Sequence, residues 1–355
     1  MKIYKNFFSD KTVIVTGHTG FKGSWLCFIL FLFGAKVIGI SSYDLGQKSN
    51  YKILRIKSKI FKEYRINITN LNKLKSIIIK TKPDIIFHLA AQALVSDSYF
   101  KPVETFNTNI NGTINILESI RYLKKKCSAV IITSDKCYLN KEIRRGYSEK
   151  DVLGGDDPYS ASKASAEIIF NSYFKSFFKN NKYVSVVTAR AGNVIGGGDF
   201  SINRIIPDAI RSISRNETLK IRSPKSTRPW QHVFEPLRGY IDLSINSYKN
   251  SIKSGESFNF GPKKGKNYSV LEVVNIIKKI NPNLKTKIDN KKLKIKESGL
   301  LKLNCNKASE VLGWKPYLSI NRCIKYTMDW YLCFMNKENI EILSLKQVNN
   351  YFAKK

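Results

Sequence analysis

The chain has 355 residues, 43% of them hydrophobic, which is enough for one large domain or a large one with a smaller lobe. Lys and Arg number 61 against 27 Asp and Glu, a net charge of +34. The basic residues are spread along the chain with no nucleic-acid motif beside them, so they read as composition bias that adds modest attraction for an anionic substrate, and no nucleic-acid partner is expected. Six cysteines with no Cys-x-x-Cys pair, and no histidine at ligand spacing, argue against a disulfide framework and a metal site and imply a reducing, cytoplasmic setting.

In chain order, 12–16 (TVIVT) is short, β-branched and apolar, and predicts a buried strand. A glycine-rich turn, Gly17 to Gly23, leads into an apolar helix that runs to about Phe33, with Gly34 as its C-cap. The uncharged apolar run Trp25 to Ala35 is shorter than the about 20 residues a bilayer needs. The turn before it and the absence of a cleavage site after it favour a buried helix over a membrane span or signal peptide. Residues 35–41 predict a second strand, 71–80 a helix, 84–89 a strand and about 103–124 one long helix. A strand at 129–133, a helix over about 160–178 and a strand at 184–189 follow. This alternation implies an α/β fold with a doubly wound parallel sheet. After Ala191 the rhythm breaks at Gly196-Gly197-Gly198 and at several prolines. Residues 1–192 are therefore expected to form a dinucleotide-binding domain, and 193–355 mainly a smaller substrate lobe with some segments returning to the first domain.

Gly17-x-x-Gly20-x-x-Gly23, between a strand and a helix, allows a tight turn and close approach of backbone to a pyrophosphate at a helix N-terminus. Asp44, 21 residues after Gly23, is the candidate to hold a ribose 2′-hydroxyl, and no Arg lies between Ser41 and Asn50 to receive a 2′-phosphate. NAD is expected rather than NADP. Tyr159 and Lys163 share one helix face four residues apart, and an ammonium beside a phenol stabilises the phenolate as a base. Ser134 ends the strand before them, where α/β sites collect, and can hydrogen-bond a reacting oxygen. Asp135 and Lys136 add an acid and a base that simple hydride exchange does not need. A dehydratase needs both: one to protonate a departing hydroxyl, the other to take a proton from carbon.

The glycine loop, His88-Leu-Ala-Ala-Gln92, Ser134-Asp135-Lys136, Tyr159-Ser-Ala-Ser-Lys163, Arg190 to Asp199 (RAGNVIGGGD) and Arg228-Pro-Trp-Gln-His-Val233 occur in this order. Together they resemble the sugar-nucleotide epimerase/dehydratase family of the extended short-chain dehydrogenases/reductases, from about residue 10 to 330. Lys136, where dTDP-sugar relatives carry Glu, is similar to the CDP-sugar branch. The resemblance implies a Rossmann-type fold, NAD as cofactor and a sugar-nucleotide substrate, CDP-glucose being favoured, which loses water through C4 oxidation, C5/C6 elimination and C6 reduction. It implies cofactor contacts at Gly17, Thr19, Gly20, Phe21, Lys22, Gly23, Asn67, Ile68, Leu89, Ala90, Ala91, Tyr159 and Lys163. Gln92, Ser134, Asn193, Arg204 and Arg228 would meet the substrate. His88, His232 and Trp230 would be structural. Relatives pair through helices corresponding to about 103–124 and 160–178, so a homodimer or a tetramer is expected. One departure is Ser96-Asp97, which stands where close relatives carry two arginines. The alternatives are a 4,6-dehydratase for dTDP-glucose or GDP-mannose, an epimerase sharing the glycine loop and Tyr159/Lys163, and a non-catalytic anion binder.

Overall fold

The computed structural model describes residues 1–42, 46, 48–262, 267–289 and 300–353. Its main sheet has seven strands: β1 (Thr12–Thr16), β2 (Lys36–Ser41), β3 (Lys62–Arg65), β4 (Ile85–His88), β5 (Cys127–Ile132), β6 (Val184–Ala191) and β7 (Ser257–Phe260). They lie in the order β7-β6-β5-β4-β1-β2-β3 with every pairing parallel. This is the doubly wound α/β sheet that the alternating pattern predicts. Successive residues of the central strands feed opposite faces. Val13 and Val15 of β1 join one core with Phe87 and Val130, while Ile14 joins the other with Ile86 and Ile131. Strand order reverses between β1 and β4, which opens a crevice at their carboxyl ends.

The helix Phe21–Leu32 is buried at every position from Gly23 to Leu30. One flank meets the sheet; the other is covered by chain that follows residue 193. The Trp25 indole donates to the Gly197 carbonyl at 2.9 Å and its ring meets Phe234 edge-on at 5.0 Å. Strand β7 and the buried helix Phe234–Tyr248 lie with β5 and β6, although they follow residue 193. The C-terminal helix Ile340–Phe352 reaches the N-terminal helix Lys2–Phe8, where the Met1 amino group donates to the Phe352 carbonyl at 2.8 Å. Among the described residues no helix is long and apolar enough to cross a membrane.

Two predicted elements differ in form. The single helix expected over 103–124 runs as Pro102–Phe106, a wider π-type turn Asn107–Asn111 and Gly112–Arg121, preceded by a separate short helix Val95–Phe100. Pro102 cannot continue the preceding helix and starts the next. Asn109 accounts for the wide turn: its side chain accepts from Gln92 N at 2.8 Å and donates to Ser162 Oγ at 2.9 Å. The helix expected to reach 178 likewise widens after Tyr173. Strand β3, the sequence KEYR, has no apolar run to announce it, because it lies at the sheet edge and is half exposed.

All three histidines are buried. Burial pulls the imidazoles of His88 and His232 down to about 3 and lowers that of His18 less, because Glu63 opposes it. A folded-state value below the unfolded 6.5 gives stability that is complete above pH 6.5 and is lost as pH falls toward 3. At pH 5 the loss is about 2 kcal/mol for each of His88 and His232. Calorimetry should show the melting temperature dropping steadily from pH 7 to pH 5; a flat profile would contradict this burial.

Candidate active site

The crevice at the strand ends is the mouth of a cleft of about 1420 Å³. The glycine turn forms its floor on one side. Gly17 has φ of +73°, and a Cβ there would lie 2.8 Å from the Ala90 backbone. A Cβ on Gly23 would fall 2.1 Å from the Gly17 carbonyl oxygen. Neither position accepts a side chain, so the loop lies flat against the end of β4 and the helix Phe21–Leu32 opens toward the cleft. Thr19 Oγ1 and Ser41 Oγ are 2.8 Å apart, tying the loop to β2. His18 is turned away from the cleft, with Nε2 2.6 Å from Glu63 Oε1 on β3. Phe21 and Lys22 begin the helix and line the cleft. Burial draws the Lys22 ammonium down to about 8; Asp135 opposes that shift, and Arg204 and Lys163 add to it.

Asn67, Ile68, Leu89, Ala90 and Ala91 line the same end of the cleft. Asn67 Oδ1 accepts from Thr69 N at 3.0 Å, and the buried Ile68 packs where Gly112 leaves room for it. Asp44 lies outside the described residues. Both side-chain atoms of Gln92 are bound to Leu94 backbone, at 2.6 and 2.9 Å, so the amide braces this loop at the cleft wall.

The middle of the cleft holds the candidate reactive groups. Strand β5 ends at Ile132, and Ser134, Asp135 and Lys136 turn out of it beside the helix Pro158–Tyr173, which carries Tyr159 and Lys163. Asp157 caps that helix through Ser160 N at 2.9 Å and Pro158 occupies its first turn, fixing where Tyr159 begins. Ser134 Oγ donates to Asp135 Oδ1 at 2.9 Å. Asp135 is 2% exposed and its Oδ2 has no side-chain or backbone partner among the described residues. A Cβ on Gly192 would come within 3.0 Å of that oxygen, so glycine there keeps its approach clear. Burial pushes the Tyr159 phenol up to about 12, and the Ser134 hydroxyl bonded to it works the other way. Burial draws the Lys163 ammonium down to about 8 against the pull of Glu167. The two shifts move phenol and ammonium apart, so burial alone leaves the phenol holding its proton, and a positive charge beside it is what favours the phenolate.

The far end is cationic. Arg204 pairs with Asp199 at 2.9 Å, Arg228 donates to the Thr227 carbonyl at 2.8 Å, and Asn193 faces the same space. Trp230 is held by its indole N–H on the Tyr268 carbonyl at 2.9 Å. Ser96 and Asp97 are on the wall, hydrogen-bonded to each other at 3.0 Å. Thus every site residue expected from the sequence, Asp44 aside, lies on one cleft. The cleft is also lined by Lys220 and Arg222, on and just after a short strand that carries no motif, and Glu167 lies buried two turns along the helix from Tyr159; sequence reasoning singled out none of the three. Among the described residues no cluster of three or more His, Cys, Asp or Glu side chains is arranged to hold a metal.

The sequence model of GDP-mannose 4,6-dehydratases matches residues 14–327. The chain is 39% identical to CDP-glucose 4,6-dehydratase of Salmonella typhimurium over 355 residues, covering 99% of each chain. It superposes on dTDP-glucose 4,6-dehydratase DesIV of Streptomyces venezuelae, solved with NAD, with a TM-score of 0.76, 21% identity and coverage of 93% and 99%. A UDP-glucuronic acid 4-epimerase of Bacillus cereus, solved with UDP-glucuronic acid and NAD, gives a TM-score of 0.77, 24% identity and coverage of 91% and 99%. A glycine loop at a parallel-sheet crevice with a Tyr-x-x-x-Lys pair defines the class, and the chain belongs to the GDP-mannose 4,6-dehydratase family.

Proposed function

We propose that this chain removes water from CDP-D-glucose to give CDP-4-dehydro-6-deoxy-D-glucose. The observation that carries this reading is Ser134-Asp135-Lys136 standing at the end of β5 beside Tyr159 and Lys163, in a chain 39% identical throughout to a CDP-glucose 4,6-dehydratase. An epimerase would leave Asp135 and Lys136 without work.

The loop and its flanks fit NAD: backbone that a Cβ would block, a helix N-terminus, and the half-apolar wall of Ile68, Leu89 and Ala90. Gly17, Thr19, Gly20, Phe21, Lys22 and Gly23 would hold its pyrophosphate. Bound there, NAD supplies acceptance of a hydride from sugar C4 and its return to C6. The protein does the proton work. Tyr159 takes the C4 hydroxyl proton while Ser134 hydrogen-bonds that oxygen and the Lys163 ammonium supports the phenolate. The resulting ketone acidifies C5–H, and Lys136 Nζ takes that proton. The C6–O bond breaks as Asp135 gives its proton to the leaving hydroxyl, which departs as water, and Lys136 returns its proton to C5 when the hydride comes back to C6. Asn193, Arg204 and Arg228 would hold the nucleotide diphosphate. In this reading residues 1–192 serve the cofactor, and 193–355 mainly the sugar nucleotide.

Incubation with CDP-glucose, and in parallel with dTDP-glucose, GDP-mannose and UDP-glucose, should show loss of one water from CDP-glucose alone by product mass. Water loss from another sugar nucleotide would move the substrate; no mass change in any sample would overturn the dehydratase reading.

We also place the enzyme in the cytoplasm, supported by six free thiols; recovery in the membrane fraction would contradict this. A dimer is supported by Phe100, Val103 and Ile168, which are 82%, 79% and 57% exposed on the helices flanking the site. Val103→Asp with Ile168→Asp should yield monomers in sedimentation; an unchanged mass would remove this face from the interface.

A further inference from the structure

The helix Pro158–Tyr173 continues its buried face past Tyr159 and Lys163 to Glu167, which is 0% exposed. Its carboxylate gathers donors from two neighbouring strands, β6 and β7, and from the turn that follows β5. Oε1 accepts from Thr133 Oγ1 at 2.5 Å. Oε2 accepts from Thr188 Oγ1 at 3.0 Å and Arg190 Nη2 at 2.7 Å, both on β6, and from Ser257 Oγ of β7 at 3.3 Å. Thr133 immediately precedes Ser134. Arg190 is held in turn by the Tyr138 hydroxyl at 2.8 Å, which donates to Asn259 Oδ1 at 2.8 Å. The reacting groups sit on two pieces of chain, the end of β5 and one helix face, and this carboxylate joins the two.

We propose that Glu167 is a positioning residue of the reaction: its buried carboxylate clamps the strand end bearing Ser134, Asp135 and Lys136 to the helix face bearing Tyr159 and Lys163. A carboxylate with this many donors in a dry interior fixes both oxygens, and the reacting atoms of such a site tolerate little displacement. Burial raises the Glu167 carboxyl, but Arg190 and the threonine hydroxyls more than offset it and hold it ionised. That charge has a second consequence. Lys163 is faced by Tyr159 and Glu167 on its own helix, by Lys22, by His88 of β4 and by Cys137 of the turn after β5. Lys22 is cationic and His88 is neutral, so Glu167 is the anion that opposes loss of the Lys163 proton to burial.

The inference rests on the assignment of Tyr159 and Lys163 as the reacting pair, and the test separates the two. Thr133→Val cuts the strand's leg of the clamp without altering charge, and Thr133→Ser restores the hydroxyl. With the substrate the wild type turns over, Thr133→Val should lose on the order of tenfold to a hundredfold in kcat, with KM and NAD affinity unchanged, and Thr133→Ser should regain it. A Thr133→Val enzyme that melts lower yet keeps its kcat, or whose loss Ser does not restore, overturns the clamp. An inactive wild type would instead count against the proposed function. Glu167→Gln should move the alkaline limb of the pH profile to lower pH, because the Lys163 ammonium then deprotonates earlier; a folded variant with an unmoved limb overturns the electrostatic part. Since Glu167→Gln leaves Arg190 as a buried unpaired charge, its folding is checked first, and the Thr133 pair decides the clamp alone.

Discussion

Tyr159→Phe should lower kcat by on the order of a thousandfold while NAD and sugar nucleotide still bind. The phenol lines the cleft near Ser134 and lies a helical turn from Lys163, where it can take a hydroxyl proton. Burial raises its proton affinity, and a nearby ammonium such as that of Lys163 favours the phenolate by charge. Phenylalanine keeps the ring, and the side chain is only 8% exposed, so the fold should persist. Rapid kinetics with CDP-glucose, with circular dichroism as a fold control, checks this. A normally active variant would place the base elsewhere.

Lys136→Met should lower kcat by a similar factor, roughly a hundredfold to ten-thousandfold, for a different reason. C4 chemistry would be intact, since Ser134, Tyr159 and Lys163 remain, but C5 would lose its base. Proton removal would then limit the rate. The expected signature is a primary isotope effect on C5-deuterated substrate that is larger in the variant than in the wild type. Lys136 is half-buried at the cleft, and methionine keeps most of its stem, so a folding defect is not expected. Full turnover without Lys136 would remove it from the reaction and leave Asp135 as the only added group.

How far these roles could be read from sequence differs by residue. Tyr159 and Lys163 were legible because helical spacing alone puts them on one face. Gly17, Gly20 and Gly23 were legible because backbone that must come close to other backbone excludes a Cβ, a demand local to a few residues. Glu167 has the same helical register and was not seen, because its meaning lies in Thr133, Thr188, Arg190 and Ser257, which are up to 90 residues away. Lys220 and Arg222 were invisible in a chain where lysine is everywhere. Strand β3 was invisible because an edge strand needs no apolar run.

The sequence by itself determined the alternating strands and helices, the phosphate-type turn, and the identities of the groups able to move protons, since each follows from periodicity or from side-chain chemistry within one element. Tertiary structure decided which later segments, β7 and the helix Phe234–Tyr248, lie with β5 and β6, that the long helix widens at Asn107–Asn111, and that one carboxylate fastens both halves of the site. The physical reason is the range of the interaction. Backbone preference and amphipathic spacing act over a turn or two, whereas strand pairing and buried hydrogen bonds join residues that only the closed chain brings together.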